Sequence, residues 1–282
     1  MAVNSNGRQG TAVTAHRPDG LGYVFDNDSV HSRNQHQCLA EMLDPITTAR
    51  LVQTGAADGW HCLDVGAGGG SVATWLAQRV APSGRVLATD IKPSHIPVRA
   101  GLEVIQHDIV RDPLPVAAVD LICARMVLRN LPQRRAVLDR LVRTLRPGGW
   151  LQLDEFDITY GPALLMPNPP ARQLYDTFLA AKARLFDTAS TDGAWGQHAA
   201  QAMHDAGLVD IDPAPHLQLW HAGSPGVRLL IHHTFHLRDQ FIEAGMTDQQ
   251  LADVRTLLAD PTFKATSCVI YSVHGRRPLA PR

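Results

Sequence analysis

The sequence is short of the features that mark several large protein classes. Its four cysteines, Cys38, Cys62, Cys123 and Cys268, form no C-x-x-C pair and have no histidine at zinc-finger spacing, which argues against a disulfide scaffold and a structural zinc alike. They read as small hydrophobes of a reducing compartment. Excess positive charge is missing too: 26 Lys+Arg against 27 Asp+Glu leave a net charge of -1, too little for the phosphate attraction on which non-specific nucleic-acid binding relies. No stretch reaches the ~18 apolar residues of a membrane span. The residues from Met1 to Gly20 are polar and lack the apolar segment of a secretory signal. Internal repeats and low-complexity tracts are absent. Charged residues amount to 19%, below the roughly 25% of a typical soluble domain, while 45% are hydrophobic, so the chain has enough apolar surface to fold. These absences predict a cytoplasmic protein with a loose N-terminal tail that works without nucleic acid or membrane. Histidine is what the chain has in plenty, with fourteen.

Periodicity predicts helices over 28–43 and 45–54, divided at Asp44-Pro45, where the proline ring suits a new start. The pattern then alternates. Strands are expected at 60–65, 85–90, 102–106, 119–124 and 150–156, with helices at 71–80 and 132–146, a βαβ series that implies a doubly wound, mostly parallel sheet. The helix over 132–146 has the clearest pattern, with Val137, Leu138, Leu141, Val142 and Leu145 on one face and Gly148-Gly149 just past its end. Beyond residue 160 the pattern becomes helical, with expected helices at 171–187, 195–206, 224–244 and 248–258. Thr247-x-x-Gln250 forms a capping box for the last of these. Late strands are expected at 216–220 and 266–274.

The chemistry starts at Leu63-Asp64-Val65-Gly66-Ala67-Gly68-Gly69-Gly70-Ser71, a strand entering a glycine turn and then a helix. Such a turn serves any ligand that approaches the backbone closely. A dinucleotide would place its pyrophosphate on the helix N-terminus, where the nearby carboxylate of Asp64 is unfavourable. S-adenosylmethionine carries no phosphate but an ammonium and a sulfonium, which turn Asp64 into an asset. The glycines also read G-x-G-x-G rather than G-x-G-x-x-G. Asp90 ends the next strand, where an acid can take both ribose hydroxyls of an adenosine of either cofactor. His107-Asp108-Ile109 offers a carboxylate and an apolar wall for an adenine. Val119-Asp120-Leu121-Ile122-Cys123-Ala124-Arg125 then leads through Asn130-Leu131-Pro132 to Arg146-Pro147-Gly148-Gly149.

This ordered set, over residues of about 60 to 156, resembles the class I S-adenosylmethionine-dependent methyltransferases, of the small-molecule type found in quinone biosynthesis and bacterial natural products. The resemblance implies a Rossmann-like fold with a seven-stranded sheet and a helical cap. It also implies S-adenosylmethionine as cofactor, S-adenosylhomocysteine as product and no metal. Asp64, Gly66, Ala67, Gly68 and Gly70 would meet the methionine end, Asp90 the ribose, and Ile91, Asp108 and Ile109 the adenine. Ala124 and Arg125 would lie near the methionine moiety. Gly22-Tyr23-Val24-Phe25-Asp26-Asn27 with Arg33 resembles the family's N-terminal lid, which makes Tyr23 and Arg33 cofactor contacts. The implied organisation is a tail (1–20), a helical lid (21–56), a cofactor-binding α/β core (57–160), a helical cap with the acceptor pocket (161–245) and a C-terminal helix and strand completing the sheet (246–282). Two alternatives stay open: a cyclase, isomerase or non-catalytic binding protein on the same fold, and an NAD(P)-dependent oxidoreductase, which Asp64 disfavours.

The expected reaction moves a methyl group to an O, N or C atom of a small organic acceptor, in secondary metabolism, with a homo-oligomer left open. A base is needed only where the acceptor loses a proton. In the cap, at about 100° per residue, His232 and His236 lie roughly 40° apart, with Asp239 and Glu243 extending their stripe. His232 and His236 are therefore the candidate bases, and His233, Phe235 and Trp195 the candidate acceptor contacts. Four groups over three turns span too much axis for one ion, so metal is not expected.

Overall fold

The computed structural model describes Phe25, Ser29 and residues 31–188 and 191–279. Its first half contains α1 (Ser32–Gln53), β1 (His61–Val65), α2 (Ser71–Arg79), β2 (Arg85–Asp90), β3 (Leu102–Gln106), β4 (Val119–Arg125), α3 (Arg134–Thr144) and β5 (Leu145–Asp157). The second half adds β6 (Ala163–Leu165), α4 (Pro169–Thr188), α5 (Trp195–Asp205), β7 (Val209–His216), β8 (Leu219–His221), α6 (Pro225–His236), α7 (Arg238–Glu243), α8 (Asp248–Ala259), β9 (Lys264–Thr266) and β10 (Val269–Arg276).

Seven strands form the central sheet in the order β3-β2-β1-β4-β5-β10-β7, and β6-β9-β8 form a small second sheet. The first five strands are parallel neighbours, whereas β10 runs antiparallel to β5 and β7. This is the doubly wound, seven-stranded architecture expected. The parallel strands are covered on both faces, so their residues alternate between two apolar layers rather than between core and water. Along β4, Leu121 and Cys123 enter the layer of α2 and the end of α1, while Ile122 and Ala124 enter that of α3 and α5. A third cluster lies beyond the sheet's end, where α4, α6, α7 and α8 pack Tyr175, Phe178, Leu230, Phe241 and Val254 against Met42 and Leu43 of α1. Helix α1 therefore belongs to the cap and to the sheet at once.

Three expectations are corrected. Asp44-Pro45 does not divide two helices, because α1 runs through Pro45. The proline removes one backbone donor, and side chains from outside the helix bind carbonyls close to it: Gln218 Nε2 donates to the Met42 carbonyl at 3.0 Å and Gln152 Nε2 to that of Thr47 at 3.1 Å. The helix expected over 224–244 is broken at Leu237 (φ -111°, ψ 24°), so Asp239 and Glu243 do not continue the face of His232 and His236. The strand expected at 216–220 is two strands: β7 ends at His216 in the large sheet and β8 belongs to the small one. β7 carries Pro213 and Pro215, which a sheet tolerates at its edge, and the edge is where β7 lies. The Thr247–Gln250 capping box opens α8 as expected. All four cysteines are free, and among the described residues no helix is long and apolar enough to cross a membrane.

Phe241 is fully buried and stacks on Phe178 at 5.2 Å between ring centres. Phe241→Ala leaves a cavity in the cap and should cost about 3–5 kcal/mol. Urea denaturation should show the lower midpoint, and a midpoint shift worth under about 1 kcal/mol would show that the cap does not rest on this pair.

Candidate functional site

Strand order reverses between β1 and β4, and in open α/β sheets ligands bind outside the carboxyl ends of the strands at such a switch point. A cavity of about 510 Å³ opens there. Its floor is the glycine turn between β1 and α2. Gly66, Gly68 and Gly70 have φ of 64°, 55° and 74°, a region that side-chain-bearing residues rarely adopt. Space is also closed to larger residues, since a Cβ at Gly66 would lie 2.5 Å from a Val127 methyl. The turn is stitched to the end of β2: the Ala67 N–H donates to the Thr89 carbonyl at 3.0 Å and the Gly68 N–H to Asp90 Oδ2 at 2.9 Å.

Most residues expected at a cofactor meet in this cavity. Gly66, Ala67, Gly68, Asp90, Ile91, Asp108, Ile109, Arg125 and Arg33 line it. Asp90 Oδ1 accepts the Lys92 N–H at 2.9 Å and Asp108 Oδ1 the Val110 N–H at 2.8 Å, which fixes both carboxylates. Asp64 lies beneath the floor, 2% exposed, with Oδ2 lacking a partner. Burial pushes its carboxyl up to about 7, against the pull of Arg125. Three of the expected contacts are not in the wall: Asp64 is buried beneath it, Ala124 is sealed in the sheet, and Gly70 caps α2 behind the turn. Tyr23 lies outside the described residues.

Arg125 does more for the architecture than for the cavity. Its Nη1 donates to Asp44 Oδ1 at 2.7 Å and Thr47 Oγ1 at 3.3 Å, and its Nη2 to Ser71 Oγ at 3.1 Å, while Ser71 Oγ donates to Asp44 Oδ1 at 2.9 Å. This network locks α1 over the turn. His36 of α1 consequently roofs Gly68 and Gly69, whose added Cβ atoms would meet it at 3.0 Å. Burial, with His95 and Arg125 nearby, lowers its imidazole to about 4, so it is neutral. Asp44 and His36 carried no motif signal, because their roles depend on α1 docking against a turn far from it in sequence.

A second cavity, of about 450 Å³, lies under the cap. It shares Leu39, Met126 and Asn130 with the first, so the two spaces meet at the end of β4. Met126 holds φ at 59°, its N–H donating to the Asp154 carbonyl at 2.9 Å and its carbonyl accepting from Asn130 Nδ2 at 2.7 Å. Non-glycine residues adopt this region rarely, and such backbone persists where its surroundings over-determine it. The wall is mostly aromatic and aliphatic, with Arg129, Lys182 and His233 as its basic groups.

The histidine cluster divides here. His233 shares one face of α6 with Leu229 and Leu230 and lines the cavity, 5% exposed, with Nδ1 lacking a partner. Burial and the neighbouring Lys182 hold it well below the ordinary imidazole value. His232 and His236, the expected bases, line neither cavity. One residue on either side of His233 turns a side chain by about 100°, and His236 instead meets Gln35 Oε1 at 3.2 Å. Phe235 is 49% exposed, beneath the Arg255 guanidinium at 4.4 Å, and lines neither cavity. Trp195 is buried in the layer of α3 and α5, away from both cavities, because α5 presents it to the sheet. Among the described residues no three His, Cys, Asp or Glu side chains gather as a metal-ion site.

Comparison with known proteins agrees with this geometry. Residues 63–153 match the methyltransferase domain family. Methyltransferase str2 of Strobilurus tenacellus is 36% identical over 99 residues, which are 34% of this chain and 35% of that protein. The ubiquinone/menaquinone biosynthesis C-methyltransferase UbiE of Cupriavidus taiwanensis is 30% identical over 122 residues, 40% of this chain and 49% of that one. The match thus spans between a third and a half of these relatives. The solved Haemonchus contortus phosphoethanolamine N-methyltransferase 2, a complex with phosphomonomethylethanolamine and S-adenosylhomocysteine, superposes with a TM-score of 0.51 at 14% identity. That overlap covers 83% of this chain and 52% of that one, and at this identity it speaks for the fold. The glycine turn and the strand-end acids thus lie inside the segment, residues 63–153, that matches the methyltransferase domain family, and the fold is shared with a solved methyltransferase.

Proposed function

We propose that the protein transfers a methyl group from S-adenosylmethionine to an O, N or C atom of a small organic molecule held in the second cavity. The observation that carries this reading is the meeting of the two cavities at Leu39, Met126 and Asn130: one has strand-end acids and a glycine floor, the other an apolar wall. The residues present suit the cofactor. The orphaned Asp64 Oδ2 beneath the floor suits a positive charge, Asp90 and Asp108 offer carboxylates in the wall of the same cavity, and only hydrogen at Gly66 leaves room for close approach.

The bound cofactor supplies a sulfonium methyl whose S–CH3 bond breaks as the acceptor–CH3 bond forms, leaving a neutral thioether. The chain's own task is to hold the acceptor lone pair in line and keep water out. Met126 and Asn130, locked to each other and to β5, would set the passage between donor and acceptor. His233, neutral and facing the acceptor cavity, would take the hydrogen bond of an acceptor hydroxyl or amine as it loses its proton. On this reading α1 serves as the lid, residues 57–160 as the cofactor-binding core and 161–245 as the cap.

Two measurements test the cofactor site. Asp90→Ala should weaken S-adenosylhomocysteine binding by roughly 1–3 kcal/mol in calorimetric titration. Wild-type affinity in this variant, or tight binding of oxidised nicotinamide cofactor by the native protein, would overturn the assignment. The pH dependence follows from Asp64, which is protonated below about 7 in the folded protein. An α-ammonium nearby favours the carboxylate, so binding expels that proton. Affinity should therefore rise between about pH 6 and pH 8, by at most roughly tenfold, and Asp64→Asn should flatten the profile. A profile equally steep in that variant would remove Asp64 from the site.

A further inference from the structure

The second cavity is lined by two basic side chains that form no ion pair among the described residues. Arg129, in the turn after β4, is 4% exposed, and its Nη2 has no hydrogen-bond partner. Its guanidinium carbon lies 5.9 Å and 5.6 Å from the ring centres of Phe156 and Phe186, and among the described residues its side chain forms no ion pair. Lys182 of α4 lines the same cavity with its Nζ 5.8 Å from the Phe186 ring and likewise forms no ion pair among the described residues.

The nearby acids are otherwise engaged. Glu155 accepts the N–H groups of Leu128 at 2.9 Å and Arg129 at 3.4 Å, and burial pushes its carboxyl up to about 8 against the pull of Arg129, which weakens it as a counter-charge. Asp157 Oδ1 accepts from the Thr159 N–H at 2.9 Å and its hydroxyl at 2.6 Å. Asp192 pairs with Arg134 at 3.5 Å, and Asp176, which also lines the cavity, is exposed at its rim and forms no ion pair with either cation. A buried guanidinium with no direct ion pair is costly, and a ligand that supplies one would lower that cost.

Resting on the acceptor role proposed for this cavity, we infer that its ligand is an organic carboxylate with an apolar or aromatic body, held by Arg129 and Lys182. The planar fork of Arg129 matches a carboxylate with two parallel hydrogen bonds, and Lys182 adds a point charge. Phe25, Phe156, Phe186, Trp220 and Leu230 give the body an apolar enclosure. A neutral ligand of the same shape would leave the guanidinium as it is in the free protein, so the cavity distinguishes an acid from its amide.

Calorimetry on the full chain saturated with S-adenosylhomocysteine tests this with three probes, trans-cinnamate, 2-naphthoate and indole-3-acetate, each against its primary amide. At least one acid should bind roughly tenfold or more tighter than its amide. Arg129→Met should abolish that preference while leaving the affinity for S-adenosylhomocysteine intact, and Lys182→Met, on a different helix, should reduce it severalfold. Equal binding of acid and amide, no acid binding at millimolar concentration, or a preference that survives both substitutions would overturn the inference. Titration with S-adenosylhomocysteine alone reports the cofactor reading separately: its failure would leave an Arg129-dependent preference for acids standing, and its success would not rescue a missing one.

Discussion

The site depends on the bonds among Arg125, Asp44 and Ser71. Arg125 ends β4, Ser71 begins α2 and Asp44 sits in the middle of α1, so three hydrogen bonds tie the switch point of the sheet, the glycine turn and the lid helix together. Arg125 and Asp44 are partly shielded from solvent, and their pair is charge-assisted, which gives such contacts more weight than an exposed ion pair has. Without this junction His36 would have no reason to lie on Gly68 and Gly69, and Leu39 would not stand where the two cavities meet. One helix thus forms a wall of both spaces because a single aspartate pins it.

The cap inherits its position from the same helix. Met42 and Leu43 of α1 are members of the apolar cluster built by α4, α6, α7 and α8, and Arg50 at the far end of α1 bonds Asp212 of β7 through its side chain at 2.9 Å and its carbonyl at 2.7 Å. The polar network at the turn and the apolar cluster in the cap are consequently coupled through one rigid element. A shift of α1 would alter both cavities together, which suits a reaction between two ligands that must meet in line.

How far the sequence could be read follows the same division. The strands at 85–90 and 102–106 coincide with expectation, and the glycine turn and strand-end acids lie together, because local pattern and covalent adjacency determine these features. The helix through Pro45 was hidden, since the groups that bind carbonyls near the interruption, Gln152 and Gln218, are distant in sequence. In the cap, the histidine stripe pointed to His232 and His236, yet the face that turns inward is set by Leu229 and Leu230, which carry His233 with them. The apolar spacing held that signal, and weighing the polar residues alone missed it. Arg129 and Lys182 gave no local sign at all, for a lone basic residue in a turn or an amphipathic helix reads as solvated until the cavity around it is known.

The two prolines of β7 also bear on how copies of this chain can associate. Pro213 and Pro215 carry no N–H, so the outermost strand presents a broken row of donors to anything that would continue the sheet. An edge of this kind resists strand addition, both the orderly sort that joins two sheets across a dimer and the disorderly sort that leads to aggregates. The opposite edge, β3, carries no proline, so the two rims of the sheet differ in how readily they would accept a further strand.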